Sequence, residues 1–154
     1  MGASGWPPGA ALGFSMKTIL TGVLAAAILA GSAAAAPDPA VLAYKLPDQI
    51  QWKGDPVKGP LTYPLWGDPT KPGPYAILVK WPPHQMSRPH THPNDRYVYV
   101  ISGTWWVGTG QTYAPDTTTP IPAGSVVTHF AKQFHYDGAK DEPAVLEIVG
   151  EGPQ

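Results

Sequence analysis

Apolar residues along this chain fall in short blocks that alternate, with no three-to-four-residue period sustained after Ala36. Tyr75-Ala-Ile-Leu-Val-Lys-Trp81 and Arg96-Tyr-Val-Tyr-Val-Ile-Ser102 are β-branched and aromatic runs of strand length. Leu61–Trp66, Thr104–Val107, Pro120–Ile121, Ser125–Phe130, Gln133–Tyr136 and Pro143–Val149 have the same character, and Gln49–Trp52 reads as a first strand. Gly108 to Thr119 reads as a loop. Gly103 is expected to join its flanking strands as a hairpin. About eight to ten short strands between turn signals predict an all-β sandwich or small barrel.

One strand carries more than the others. Between Arg96 and Ser102, Val98 and Val100 face one way while Tyr97, Tyr99 and Ile101 face the other. A strand apolar on both sides needs cover on both. With several tryptophans beside it, this predicts a homodimer.

Composition narrows the class. The chain has 154 residues, a formal net charge of −1 and no cysteine. That is room for one domain. The absence of cysteine removes disulfides, zinc ribbons, iron–sulfur clusters and thiol catalysis. Nothing is basic enough for nucleic acid. Twenty prolines and seventeen glycines, placed between the apolar runs, supply the turns of an all-β domain.

The first 36 residues read as something other than fold. Met16-Lys17 is a short basic start, Ile19–Ile28 an apolar run, and Ser32–Ala36 a small-residue cleavage region. Residues 1–36 are therefore expected to be an extended N-terminus and signal peptide, and 37–154 a single domain. That domain would be secreted or periplasmic, with no membrane attachment after cleavage; a lipoprotein is excluded for want of a cysteine.

The candidate chemistry lies in Arg88-Pro-His-Thr-His92 and the later His135. Histidines at i and i+2 of an extended segment point to the same face. A third imidazole from a later strand gives three nitrogen donors, and three protein ligands with open positions mark a working metal rather than a closed structural one. Imidazole suits copper, iron, zinc and nickel. An exported protein acquires its metal outside the cytoplasm, where the affinity order favours copper. One divalent transition metal per chain is expected, copper first, iron second, zinc or nickel after.

These residues resemble the two motifs of the cupins, small double-stranded β-helix (jelly-roll) barrels. The first reads G-x5-H-x-H-x3,4-E-x6-G, matched here by His90, His92 and Gly103. The second reads G-x5-P-x-G-x2-H-x3-N, matched by Gly124 and His135. The resemblance covers about Tyr75 to Val149 and implies an all-β cupin barrel. Departures are specific: His84 stands for the first glycine, Arg96 for the ligand Glu, Phe130 and Lys132 for the Pro and Gly, and Ala139 for the Asn. The resemblance thus implies a metal set reduced to His90, His92 and His135, because a guanidinium cannot replace a carboxylate as ligand.

Arg96, at the Glu position, is expected to point into the barrel and hold an anionic group, or else to pair with Asp95. Gln133, two residues before His135, is expected to share its face as a pocket donor, and Asp137 likewise. His84 reads as a strand-end surface residue, with a fourth ligand or a proton donor as the alternatives, and His129 as an exposed or rim residue. The tryptophans read as core or dimer seam, with a sugar-stacking platform as the alternative. The resulting function is a secreted mononuclear oxidoreductase that activates dioxygen or peroxide. Its substrate would be a saccharide or other small extracellular molecule. The alternatives are a non-redox lyase, isomerase or hydrolase, and a non-catalytic metal- or ligand-binding cupin.

Overall fold

The computed structural model describes residues 36–154. The signal segment read in the sequence falls, apart from Ala36, outside the described residues. The chain divides into two units, Met1–Leu42 and Ala43–Gln154. In the first, the described part is a turn in which Asp38 accepts the Ala40 and Val41 amides. No helix among the described residues is long and apolar enough to cross a membrane.

The second unit is all β. In chain order its strands are β1 (Leu61–Trp66), β2 (Gly73–Trp81), β3 (Gln85–Met86), β4 (Arg96–Ser102), β5 (Thr104–Thr109), β6 (Thr119–Pro122), β7 (Val126–His129), β8 (His135–Ala139) and β9 (Ala144–Gly152). The only helical pieces described are single 3₁₀ turns at Pro47–Gln49 and Pro115–Thr117. One sheet runs β1-β2-β9-β4-β7 and the other β3-β8-β5-β6. Every pairing between these strands is antiparallel.

Two expectations need correction. Gln49–Trp52 is not a strand: it holds the end of a 3₁₀ turn, and Lys53 makes a lone bridge to Thr62. Nor do β4 and β5 form a hairpin, since they belong to different sheets. Gly103 carries the chain across at φ 73°, and a Cβ there would meet the Pro143 carbonyl oxygen at 2.1 Å. The residue that was read as a hairpin turn is the corner where one sheet hands over to the other.

The core lies between the sheets. Tyr75, Ile77, Val79 and Trp81 from β2, Val98 and Val100 from β4, Leu146 and Ile148 from β9, and Trp105 from β5 fill it. From Arg96 to Ile101 in β4 burial alternates, so Arg96, Val98 and Val100 share the inner face. The opposite face exposes Tyr97 (58%), Tyr99 and Ile101, and Val126 of the edge strand β7 lies open at 79%. Among the described residues the tryptophans do not gather into one platform. Trp81 and Trp105 are core, and Trp106 sits under the Lys140 ammonium, 3.9 Å from its ring centre.

Antiparallel order also sets where polar residues collect. Arg96 begins β4 and His129 ends β7, and the two are cross-strand partners. His135 begins β8, and the segment between β3 and β4 is tied to it by reciprocal main-chain bonds between His90 and His135, 2.9 and 3.0 Å long. Three strand ends and one connecting segment therefore meet in one place.

Candidate metal centre

The meeting point brings His90, His92 and His135 together, with one donor atom from each lying within 4.8 Å of the others. Their ring centroids are 4.6 to 5.2 Å apart. Hydrogen bonding fixes two of the tautomers. His90 Nδ1 lies 2.8 Å from the Arg88 carbonyl and His135 Nδ1 lies 3.1 Å from the Gln133 carbonyl. A carbonyl only accepts, so each Nδ1 carries a proton, which in the neutral ring leaves the lone pair on Nε2. Metal-binding histidines are held in this way, by their second ring nitrogen.

The Nε2 atoms of His92 and His135 are buried with no hydrogen-bond partner. A buried polar atom left unpaired costs roughly 1–3 kcal/mol, and two such nitrogens within one histidine cluster fit a cation that would take both as ligands. Burial pushes His92 down to about 3, helped by the Arg96 charge, and also lowers His135. Both are neutral at ordinary pH, which is the ligating form. The cluster could bind a metal.

A fourth imidazole stands behind the three. His129, expected at the rim, is buried, with its ring centre 3.8 Å from that of His135. Its inward position follows from its register opposite Arg96 on the inner face of β4. Arg96 Nη2 donates to His129 Nδ1 at 3.1 Å. The guanidinium has no acceptor, so His129 must carry its proton on Nε2 and can donate but not ligate there. Burial, with His135 and Arg96 adding to it, pushes its pKa down to about 2. No ligand motif points to this residue; its cross-strand register alone reveals it.

Arg96 itself is buried, at 7% exposure. It does not pair with Asp95, whose carboxylate instead accepts the Ala131 amide at 2.7 Å. Its Nη1 donates to Gln154 Oε1 at 3.3 Å, and Tyr75 donates to the same oxygen at 2.6 Å. Burial lowers the Arg96 pKa, while the Asp137 carboxylate opposes that shift.

Asp137 is buried and well satisfied. Trp105 Nε1 donates to its Oδ2 at 2.9 Å, and Ser87 Oγ reaches Oδ1 at 3.4 Å. The Ser87 hydroxyl also accepts the Asp137 amide. Gln133 behaves differently. It is exposed, does not line the cavity, and contributes only its main-chain carbonyl to His135. The two-residue parity holds forward from His135 along β8 to Asp137. It fails backward to Gln133, which lies in the turn before the strand begins, one residue after Lys132 at φ 61°. His84 is exposed, also at φ 61°.

A cavity of about 480 Å³ opens beside the cluster, bounded by His90, Arg96 and Asp137 and by the apolar side chains of Ile77, Val79, Trp81 and Ile148. A polar corner and an apolar wall together suit a small organic molecule.

Comparison with known proteins agrees on the fold. No protein-family model matches the sequence, and no curated protein does either. Solved structures do. KdgF from Halomonas sp. is 17% identical over 71% of this chain and 95% of its own, with a TM-score of 0.53. An RmlC-like cupin from Shewanella frigidimarina is 14% identical over 70% of this chain and 88% of its own, at 0.54. The polyketide cyclase RemF from Streptomyces resistomycificus is 14% identical over 71% of this chain and 79% of its own, at 0.56.

Proposed function

Given a cupin double-stranded β-helix with three imidazoles gathered at one place, we propose that this chain is a mononuclear metal-dependent enzyme of the oxidoreductase type. The observation that carries the reading is the set of three imidazoles with donor atoms within 4.8 Å of one another, two of them with buried, unpaired Nε2 atoms, beside a cavity. The ion, copper before iron, would supply electron transfer to dioxygen or peroxide and Lewis-acid polarisation of a substrate oxygen; zinc or nickel, next in order, would supply the polarisation alone.

The protein's own residues do the rest. His90, His92 and His135 hold the ion, two of them oriented through Nδ1–H bonds to main-chain carbonyls. His129 presents a fixed N–H donor beside them, kept in that tautomer by Arg96. The apolar wall excludes water from the substrate's body.

Redox chemistry is preferred over hydrolysis because the acid nearest the cavity is already committed. Asp137 accepts from Trp105 and Ser87, and so is a poor general base. A non-redox reading, a lyase or isomerase, is the second proposal; it draws on the likeness to a polyketide cyclase. Export to the periplasm or medium belongs to the same proposal. So does a homodimer through the face bearing Tyr97, Tyr99 and Val126; light scattering of the purified protein gives its mass directly.

The test is elemental analysis with electron paramagnetic resonance on protein purified without chelator or affinity tag, and again after adding Cu(II). One copper per chain is expected, with nitrogen hyperfine structure that vanishes in a His90→Ala, His92→Ala double variant. Stoichiometric zinc or nickel would move the assignment to the non-redox reading. Failure to take up any metal would defeat both.

A further inference from the structure

Arg96 is a buried cation without a counterion. Among the described residues the only ion pairs are two exposed ones, Lys58–Asp55 and Lys71–Asp68. The guanidinium meets a neutral imidazole through Nη2 and a neutral amide oxygen through Nη1, and its Nε has no partner. Asp137 tempers the charge at longer range, but its oxygens are held by Trp105 and Ser87. Burying a charge opposite neutral groups is costly, and the cost falls sharply when an anion joins it.

The Gln154 side chain shows where such an anion would sit. Its Oε1 accepts from Tyr75 at 2.6 Å and from Arg96 at 3.3 Å, two donors from different strands converging on one oxygen. Tyr75 is fully buried, on the first half of β2. A phenol and a guanidinium aimed at a single acceptor form the donor pair that a carboxylate takes, and a carboxylate brings the missing charge and a second oxygen for the guanidinium. The Arg96 bond to the amide is long for an N–H···O bond, as expected of an imperfect occupant.

We infer that Arg96 and Tyr75 form a carboxylate subsite, that the Gln154 amide holds its place, and that the substrate is a small organic acid whose apolar body fills the adjoining cavity. This deepens the proposed function and rests on reading that cavity as the substrate chamber. An acid anchored at Arg96 lays its body along Ile77, Val79, Trp81 and Ile148, with His90 at its flank. Entry requires Gln154 to swing out, so the same side chain would tune affinity.

Because Arg96 and Tyr75 are present with or without an ion, binding can be read in metal-free protein, independently of the metal assignment. The probes are benzoate and its neutral counterpart benzyl alcohol, titrated into the full chain while following tryptophan fluorescence and the NMR signals of the Gln154 amide and Tyr75. Benzoate is expected to bind at least tenfold tighter than benzyl alcohol and to shift both sets of signals. Arg96→Gln should weaken benzoate tenfold or more and leave benzyl alcohol unchanged. Gln154→Gly, which keeps both donors, should tighten benzoate severalfold. Equal binding of the two probes by the wild type, or no benzoate binding by Gln154→Gly, overturns the inference. Benzoate binding by a protein that takes up no metal would uphold the subsite while defeating the proposed function.

Discussion

Two neighbouring parts of the barrel interior handle buried polar atoms in opposite ways. Around Asp137 the atoms are matched: Trp105 to one carboxylate oxygen, Ser87 to the other, and the Asp137 amide back to Ser87. Around the histidines they are not. Of the five buried side-chain polar atoms without partners among the described residues, four belong to His92, Arg96, His129 and His135. Both parts draw on β8, whose residues His135 to Ala139 are all buried. The difference separates polar groups that hold the fold from polar groups that wait for a ligand. A satisfied network rigidifies; an unsatisfied one costs stability and persists where something else is to fill it.

Acid should break the comparison most strongly. His92 at about 3, His129 at about 2, and the lowered His135 are neutral in the fold, whereas an unfolded histidine titrates near 6.5. The unfolded state therefore binds more protons below about pH 6.5. The stability these groups allow is fully present above that pH and is lost as pH falls toward the folded values, at up to about 1.4 kcal/mol per pH unit for each histidine. Urea midpoints of metal-free protein should be flat from pH 8 to 7 and drop steeply by pH 5. A flat profile down to pH 5 would mean the cluster is not neutral when folded.

Trp105→Ala attacks the matched part. It removes a fully buried ring and strands an Asp137 oxygen, and should cost about 3–5 kcal/mol in urea unfolding. Arg96→Met attacks the unmatched part and should do the reverse. Replacing a buried, unpaired guanidinium by an apolar chain is expected to raise metal-free stability by about 1–2 kcal/mol, although His129 Nδ1 loses its donor. A loss of several kcal/mol there would show that Arg96 is structural.

The smallest effect concerns the backbone. His84 and Lys132 are the only non-glycine residues with positive φ among those described, both at 61°. They stand where the two cupin motifs carry glycine. Each adopts the left-handed conformation that glycine favours. His84→Gly and Lys132→Gly should each change stability by no more than about 1 kcal/mol. Relief of strain would be partly offset by a more flexible unfolded chain, and thermal unfolding is the measurement.

Much of the barrel was legible because its strands are locally patterned. Arg96–Ser102 and Leu61–Trp66 were bounded to the residue, and Tyr75–Trp81 lies within β2. β3 was not, because two residues carry no period. The supposed hairpin at Gly103 failed because sheet membership depends on distant partners: β4 lies between β9 and β7, and sequence adjacency says nothing of them. In the site, the spacing of His90, His92 and His135 was visible as a motif. Asp137 followed from its two-residue parity with His135. His129 needed register, and Tyr75 with Gln154 needed the folded chain, since 79 residues separate them.

The reciprocal main-chain bonds between His90 and His135 give the candidate centre a kinetic signature. The two amides are closed by each other's carbonyls, so neither can exchange its hydrogen with solvent unless the bridge opens, and one opening releases both. An ion gripped by the side chains of the same two residues would bind only the closed bridge. It would then slow both amides by a common factor, set by its concentration over its dissociation constant. The main chain between two histidines thus becomes a clock for occupancy of the site, readable in solution without any catalytic turnover.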